Sequence, residues 1–279
     1  MSTSYLTQLL NLFKTPALRD PRYPIQQDSG LYSLKTLTNN KEFKLALQLR
    51  HRVFLEEMQG KSTQSGLEYD HLDRFADHLG IFYGPEQILV GTYRILFSDD
   101  IEAFYSESEF HLETIKNLPE RKIELGRACI APEHRNGAVI QLLWRGIALT
   151  MEAFQARYLI GCSSVPSLDE SAVMALAHNL QLKGYVLAND DILPRDKYLP
   201  VNPFALVNSD HASTIPPLLL MYLKAGAKVS RMPAFDKEFG CADFFTILDR
   251  ESLAISFRQR FFSNDSNRSQ VSKNRTSCA

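Results

Sequence analysis

The chain has 279 residues, of which 44% are hydrophobic and 23% charged, values typical of a soluble globular protein with a sizeable core. Its net charge of -1 gives no field that favours nucleic acid, so we expect no such partner. Four widely spaced cysteines form no metal-finger or CxxC spacing, and no apolar run approaches the roughly 20 residues that cross a bilayer. We therefore expect no metal site and a reducing, cytoplasmic setting.

The first 30 residues are predicted to form an amphipathic helix and an extended linker. Leu6, Leu9, Leu10 and Phe13 recur at helical spacing, which places four apolar side chains on one face. Such a helix either lies in the interface of a membrane or packs on its own domain. The prolines and the glycine between positions 15 and 30 are typical of a linker.

Residues 31–262 are predicted to form one mixed α/β domain, and the polar residues 263–279 to be disordered. The first half of the domain shows one strand, one helix and an antiparallel strand pair, over residues 31–37, 41–58, 78–82 and 88–97. Either Asn39 or Asn40 can cap the helix. The polar residues 59–77 have no periodicity, and their cluster of acids favours a functional loop.

The second half of the domain alternates strands and helices after a short acidic excursion over residues 104–115. Predicted strands cover residues 123–130, 158–164 and 244–248. Predicted helices begin near Asn136 and Asp169, and a third covers residues 214–224 with prolines in its first turn. A strand, a helix and a further strand in succession predict a parallel pair within an otherwise antiparallel sheet.

A charged pair lies inside an apolar predicted strand, where Glu124 and Arg127 stand three residues apart. Burying such a pair is costly unless partners neutralise it. Further charged residues occur in the polar loop, in the helix before it and in the strand 88–97: Arg50, Glu68, Asp70, Asp73 and Arg94. This placement predicts one polar pocket that binds substrate, and the alternative is an ion-pair network without chemistry.

The start of the second long helix is a candidate phosphate site. Asn136 and Gly137 open the helix, whose free backbone N–H groups attract anions, and Arg135 adds a fixed positive charge. By itself the pattern is common among helices.

Eight short segments between residues 45 and 248 form an ordered set of motifs. They are LRHRVF from Leu49, ExDxxD from Glu68 with DHL from Asp77, VGTYR from Val90, ELGR from Glu124, LWRGI from Leu143, GCSS from Gly161, PPL from Pro216 with YLKxGA from Tyr222, and DFF from Asp243. The set resembles the acyl-carrier-protein-dependent N-acyltransferases of the GCN5-related superfamily, in particular the L-ornithine Nα-acyltransferases. The acyl-homoserine lactone synthases are similar in the first half but lack counterparts of Trp144 and of Pro216-Pro217.

The resemblance implies a central mixed sheet in which two parallel strands splay apart, so that the pantetheine arm of the acyl donor docks in the gap. It implies no bound cofactor, because 4'-phosphopantetheine arrives on the acyl carrier protein. Arg135, Asn136, Gly137 and Ser163 are then expected to contact that arm. The helix start departs from the Arg/Gln-x-x-Gly-x-Gly/Ala loop of coenzyme A users, which argues against tight binding of a nucleotide pyrophosphate.

The implied reaction transfers a fatty acyl group, such as a 3-hydroxyacyl group, to the α-amine of ornithine or a related amino acid. The product is a lyso-aminolipid, which suggests a peripheral position at the cytoplasmic face of a membrane. An α-amine has a pKa of roughly 8, against about 10.4 for a lysine-like amine, so it is neutral more readily and attacks the thioester. Glu124 is the predicted proton acceptor, with Arg127 beside it.

The charged residues of the pocket have two possible roles in that reaction. Arg94 and Arg127 either hold the loop acids in place or bind the carboxylate of the acceptor. Glu68, Asp70 and Asp73 either bind the distal ammonium of a dibasic acceptor or scaffold the arginines. Two other functions remain open: a signal synthase of the acyl-homoserine lactone type, and a non-catalytic protein that binds acyl chains or membranes.

Overall fold

The computed structural model describes residues 16–188, 191–201 and 214–262. They form a nine-stranded mixed sheet with helices on both faces, which confirms the predicted mixed α/β fold. The predicted apolar stripe at residues 6–13 and the predicted disordered tail at residues 263–279 lie outside the described residues.

The secondary structure agrees closely with the predicted order of elements. The strands are β1 Gln26–Ser29, β2 Tyr32–Thr36, β3 Asp77–Tyr83, β4 Ile88–Phe97, β5 Lys122–Ile130, β6 Tyr158–Val165, β7 Lys228–Val229, β8 Ala234–Asp236 and β9 Cys241–Asp249. The α-helices are α1 Asn40–Arg50, α2 Glu113–Lys116, α3 Gly137–Phe154, α4 Glu170–Leu182, α5 Pro217–Ala225 and α6 Ile255–Phe261.

The sheet runs in the order β1-β2-β3-β4-β5-β6-β9-β7, and β8 also pairs with β9. Strands β5 and β6 are parallel, whereas the other paired strands are antiparallel. The parallel ladder joins only three residue pairs, from Lys122 with Tyr158 to Glu124 with Ile160. Both strands then continue without pairing to each other, which confirms the predicted separation and leaves backbone groups open at the centre of the sheet.

A side-chain cap fixes the start of α1, and a glycine sets how closely α3 approaches the sheet. The side chain of Asn39 accepts a hydrogen bond from the Glu42 backbone, so Asn39 is the cap of α1. Helix α3 packs on the opposite face of the sheet, where a Cβ added to Gly146 would lie 2.9 Å from both Leu34 and Leu79. The helix therefore approaches the strands closely and closes the main hydrophobic core.

Three predicted boundaries were wrong. The predicted helix 41–58 is an α-helix only to Arg50, after which residues 51–57 are a π-helix, a change that 3.6-residue periodicity does not reveal. Part of the predicted linker, residues 26–29, forms the polar edge strand β1, because pairing with β2 satisfies its backbone groups. Helix α5 begins at Pro217, since the residue before a proline is held extended.

None of the helices within the described ranges is long and apolar enough to cross a membrane.

Candidate active site

Three guanidinium groups and three carboxylates meet on the face of the sheet that α1 covers. Arg50 comes from the last turn of α1, and its Nε lies 2.5 Å from Glu68 Oε2. Both terminal nitrogens of Arg50 bind Asp73, at 2.7 and 3.1 Å. Asp73 is fully buried, so this bidentate pair neutralises a carboxylate that water cannot reach.

The two strand arginines complete the network from the other side. Nη1 of Arg94 lies 2.7 Å from both oxygens of Asp70 and 3.4 Å from Asp73. Arg127 donates from Nε to Glu68 at 3.0 Å and from Nη2 to Asp70 at 2.9 Å. Each of the three acids therefore binds two arginines, and the predicted convergence of distant charges in one place is what the structure shows.

A β-bulge places Arg127 on this face. Residues three apart on a straight strand point to opposite faces, so Glu124 and Arg127 would not normally lie together. Here Arg94 pairs with Gly126 while Thr92 pairs with Cys129, which inserts one extra residue into β5, and Arg127 adopts a left-handed φ of 53°. The bulge turns the Arg127 guanidinium towards the loop acids.

The arginines hold two of the loop acids, Asp70 and Asp73, ionised. Burial alone would raise the pKa of Asp73, but Arg50 and Arg94 outweigh that effect and hold its pKa well below the usual range. Burial also acts to raise the pKa of Asp70, but the charges of Arg94 and Arg127 outweigh it, so this pKa is lowered as well. The loop acids are therefore engaged in positioning arginines.

One edge of Arg94 remains without a partner. Its Nε and Nη2 are buried and have no hydrogen-bond partner in the described part of the chain. A Cβ added to Gly126 would lie 3.6 Å from Nη2 and 3.8 Å from Nε, with no other atom within 4 Å. Two parallel donors without an acceptor, facing a residue that has no side chain, form an arrangement suited to a carboxylate.

The carboxylate of Glu124 anchors the segment that follows β4. Its oxygens accept hydrogen bonds from Tyr105 N at 2.6 Å, Ser106 N at 2.8 Å and Ser106 Oγ at 2.5 Å. Burial raises the pKa of Glu124, and those hydrogen bonds oppose the rise only in part. The geometry gives Glu124 an anchoring role, and its predicted role as proton acceptor stays a prediction.

A narrow cleft opens where β5 and β6 cease to pair. Leu125, Gly161, Ser163 and Tyr222 are among its lining residues. A Cβ added to Gly161 would lie 2.5 Å from the Leu125 carbonyl oxygen, so only glycine fits at this point. Ser163 is buried on the wall of the cleft and accepts a hydrogen bond from Thr246 Oγ1 at 2.8 Å.

The start of α3 is more occupied than the sequence predicts. Arg135 binds both oxygens of Glu57, at 2.5 and 2.6 Å. Asn136 caps the helix, and its Oδ1 accepts from the N–H groups of Ala138 and Val139. Gly137 is exposed at the first turn. A phosphate that binds Arg135 at this end would have to replace the Glu57 carboxylate.

Sequence reasoning missed a second set of buried acids beside the cleft, formed by Glu109, Asp236 and Asp243. The segment 104–115 was interpreted only as an acidic excursion. The available signal was Asp243, a lone carboxylate inside the apolar strand β9, which resembles the placement of Glu124 in β5. Burial, and then the neighbouring Asp243, raise the pKa of Glu109 to about 8.

The matches to known proteins agree with this architecture. Residues 49–145 match the family model described as "Acetyltransferase (GNAT) domain". The chain is 32% identical over 254 residues to the L-ornithine N(alpha)-acyltransferase of Brucella abortus, with 82% of this chain and 88% of that one covered. It is 30% identical over 261 residues to the L-ornithine N(alpha)-acyltransferase of Agrobacterium fabrum, with 84% and 88% covered.

The GNAT match and the two curated relatives, together with the sheet and its separated parallel strands, define the protein as an N-acyltransferase. Within that class, the chain belongs to the L-ornithine Nα-acyltransferase family. Among solved structures, FeeM, an N-acyl amino acid synthase from uncultured soil microbes, superposes with a TM-score of 0.45 at 12% identity, covering 82% of this chain and 94% of that chain. The acyl-homoserine lactone synthase LasI superposes with a TM-score of 0.45 at 14% identity, covering 83% and 93%.

Proposed function

We propose that the protein transfers a fatty acyl group, such as a 3-hydroxyacyl group, from acyl carrier protein to the α-amine of L-ornithine or a related amino acid. The observation that carries the proposal is the cleft between β5 and β6, whose lining residue Leu125 directly precedes Gly126, the residue that faces the partner-free edge of Arg94. Relatives with family-level identity are named for N-acylation of ornithine. The product is a lyso-aminolipid, so we place the reaction at the cytoplasmic face of a membrane.

The donor arm lies in the cleft in this proposal. Pantetheine carries amide groups, which pair with the open backbone of β5 and β6 as an additional strand does. Ser163 lies on the wall, and Gly161 keeps the entrance free of a side chain. The 4'-phosphopantetheine belongs to the incoming carrier protein, so the enzyme itself requires no resident cofactor.

The acceptor lies on the face that carries the arginine network. Its carboxylate binds Nε and Nη2 of Arg94 beside Gly126, which leaves its α-amine at the end of the cleft. The neutral amine attacks the thioester carbonyl, the thiol leaves, and the amine loses a proton. Glu124 is the proposed proton acceptor, because it lies at the last parallel pair and burial raises its pKa.

The decisive experiment combines purified protein, a 3-hydroxyacyl thioester of acyl carrier protein, and a panel of amino acids. We expect acylated ornithine by mass spectrometry, with little product when acyl-coenzyme A replaces the carrier protein. Absence of any acyl amino acid with a verified donor refutes the proposal. Product formed only with S-adenosylmethionine would instead identify the signal-synthase alternative.

Replacing Arg135 by alanine is expected to raise KM for acyl carrier protein several-fold with little change in kcat. The guanidinium lies at the exposed start of α3, where a phosphate would dock, and it is not part of the buried network. Its ion pair with Glu57 is exposed, so the free energy of unfolding should change by less than about 1 kcal/mol. Steady-state kinetics and urea unfolding measure both effects.

Arg74→Ala is the matched control, since Arg74 is an exposed arginine on a different segment. An unchanged KM in the Arg135 variant would remove this residue from the donor site.

A further inference from the structure

The loop acids leave no free charge for a cationic acceptor. Glu68, Asp70 and Asp73 each bind two arginines, and three positive charges balance the three negative ones. A distal ammonium group would have to displace a buried guanidinium to reach them, at considerable cost. Any pocket for a dibasic acceptor therefore lies elsewhere.

A second group of carboxylates lies near the cleft, where Arg127 acts on the charge of Asp243 and Lys197 on those of Glu109 and Asp236 without forming an ion pair. Glu109, Asp236 and Asp243 are only 1%, 6% and 3% exposed. Asp243 binds a hydroxyl and a thiol, namely Ser164 Oγ at 2.6 Å and Cys241 Sγ at 3.2 Å. Among the described residues, the Asp236 side chain accepts hydrogen bonds from the N–H groups of a turn. Within the described ranges no ion pair involves these three acids.

Glu109 carries the observation that points to a ligand. Its Oε2 is buried and has no hydrogen-bond partner in the part of the chain that the structure describes. A buried carboxylate oxygen without a donor is destabilising, because it has lost its hydrogen bonds to water and gained none. Burial is the main cause of the raised pKa values of Glu109 and Asp243, and at Asp243 the positive charge of Arg127 opposes the rise without cancelling it. An ammonium group supplies three donors and one positive charge to such a place.

The group also lies within reach of the proposed acceptor. The Glu109 carboxylate lies against the thiol of Cys162, which lines the cleft directly after Gly161. Tyr105 lies between the two ends: the Arg94 and Arg127 guanidinium carbons are 5.7 and 4.7 Å from its ring centroid, and its hydroxyl faces Glu109. A carboxylate-binding edge and a pocket of acidic side chains thus flank one aromatic side chain.

We propose that Glu109 and Asp243 form the pocket that binds the distal ammonium of a dibasic amino-acid acceptor, with Asp236 adding negative charge nearby. This inference rests on the proposed function, because it assigns the side-chain subsite of the same acceptor. A metal is a poorer occupant: no group of three or more potential ligands among the described residues has an arrangement that could hold one. The pocket selects for a side-chain cation by leaving buried oxygens unpaired with a neutral acceptor.

Calorimetric titration with ornithine and with norvaline tests the pocket directly, because the two share a carbon chain and only ornithine has the distal ammonium. The parent protein should bind ornithine at least about tenfold more tightly than norvaline. Glu109→Gln and Asp243→Asn should each weaken ornithine binding about 10- to 100-fold and leave norvaline binding unchanged. Glu113→Gln is the matched control, an exposed glutamate from the same acidic segment, and should behave as the parent does.

Two results would overturn the pocket: equal affinity of the parent for both amino acids, or equal weakening of both in the two pocket variants. The kcat/KM values with acyl carrier protein thioester should show the same selective loss for ornithine. A parent protein that binds ornithine selectively but transfers no acyl group would refute the proposed function while retaining the pocket. Equal turnover of ornithine and norvaline would refute the pocket while supporting the proposed function.

Discussion

Replacement of Asp73 by asparagine is expected to lower the free energy of unfolding by about 3 to 5 kcal/mol, the range for breaking a buried ion pair. Asp73 is fully buried and accepts hydrogen bonds from both Arg50 and Arg94. The asparagine keeps the shape but loses the charge, so two guanidinium groups lose part of their neutralisation. Its amide also points a donor at one of them. Urea unfolding followed by circular dichroism measures the difference.

Asp28→Asn is the control for this substitution, since Asp28 is exposed on the edge strand β1 and should change stability by no more than about 0.5 kcal/mol. The pH dependence is a second readout. The folded pKa of Asp73 lies below its unfolded value of about 3.9, so its contribution is present above that value and is lost as the pH falls further. The parent should therefore lose more stability than the variant below about pH 4. Equal acid sensitivity would contradict the importance of the network.

Replacement of Gly161 by alanine is expected to reduce acyl transfer at least tenfold and to destabilise the fold by about 1 to 3 kcal/mol through overpacking. The new Cβ would lie 2.5 Å from the carbonyl oxygen of Leu125, and backbone on both sides cannot move as a side chain can. Relief requires β5 and β6 to shift at the point where they separate, which changes the width of the cleft. Single-turnover rates with acyl carrier protein thioester measure the effect.

Gly91→Ala provides the comparison, because its Cβ would meet a Val139 methyl group at 3.2 Å, an atom that can yield. Stability should fall less than in the Gly161 variant, and transfer should remain near the parent rate. Full activity of Gly161→Ala would place the acyl donor somewhere other than this cleft.

Local patterns predicted most of the fold because the elements obey their own periodicities. The cap at Asn39, the apolar strands and the parallel pair follow from capping chemistry, alternation and a strand–helix–strand order. The cluster of charged residues was predictable from the free-energy cost of burying charges, because Glu124 and Arg127 inside an apolar strand need partners. Whether the loop acids bind substrate or hold the arginines could not be predicted, because it depends on pairing between residues up to 59 positions apart.

The site contained two features that no local pattern announces. The hydrogen bonds of the π-helix after Arg50 span five residues, against four in an α-helix, and a sequence window does not resolve this difference. Glu109 and Asp243 come from segments 134 positions apart (243 − 109), so the placement of Asp243 inside an apolar strand indicates a buried acid but not its partner. Their relation follows only from the topology, which places β9 against β6 and the segment before β5 beside both.

The bulge at Arg127 has a consequence for how this region tolerates changes in length. One extra residue shifts the alternation of β5, so Cys129 shares a face with Thr92 and Gly126 with Arg94. Deleting a residue here would restore a regular ladder. The side chains between Glu124 and the start of α3 would then point to the opposite face of the sheet. Insertions and deletions that a surface loop absorbs would therefore uncouple the arginine from its carboxylates while leaving the sheet intact.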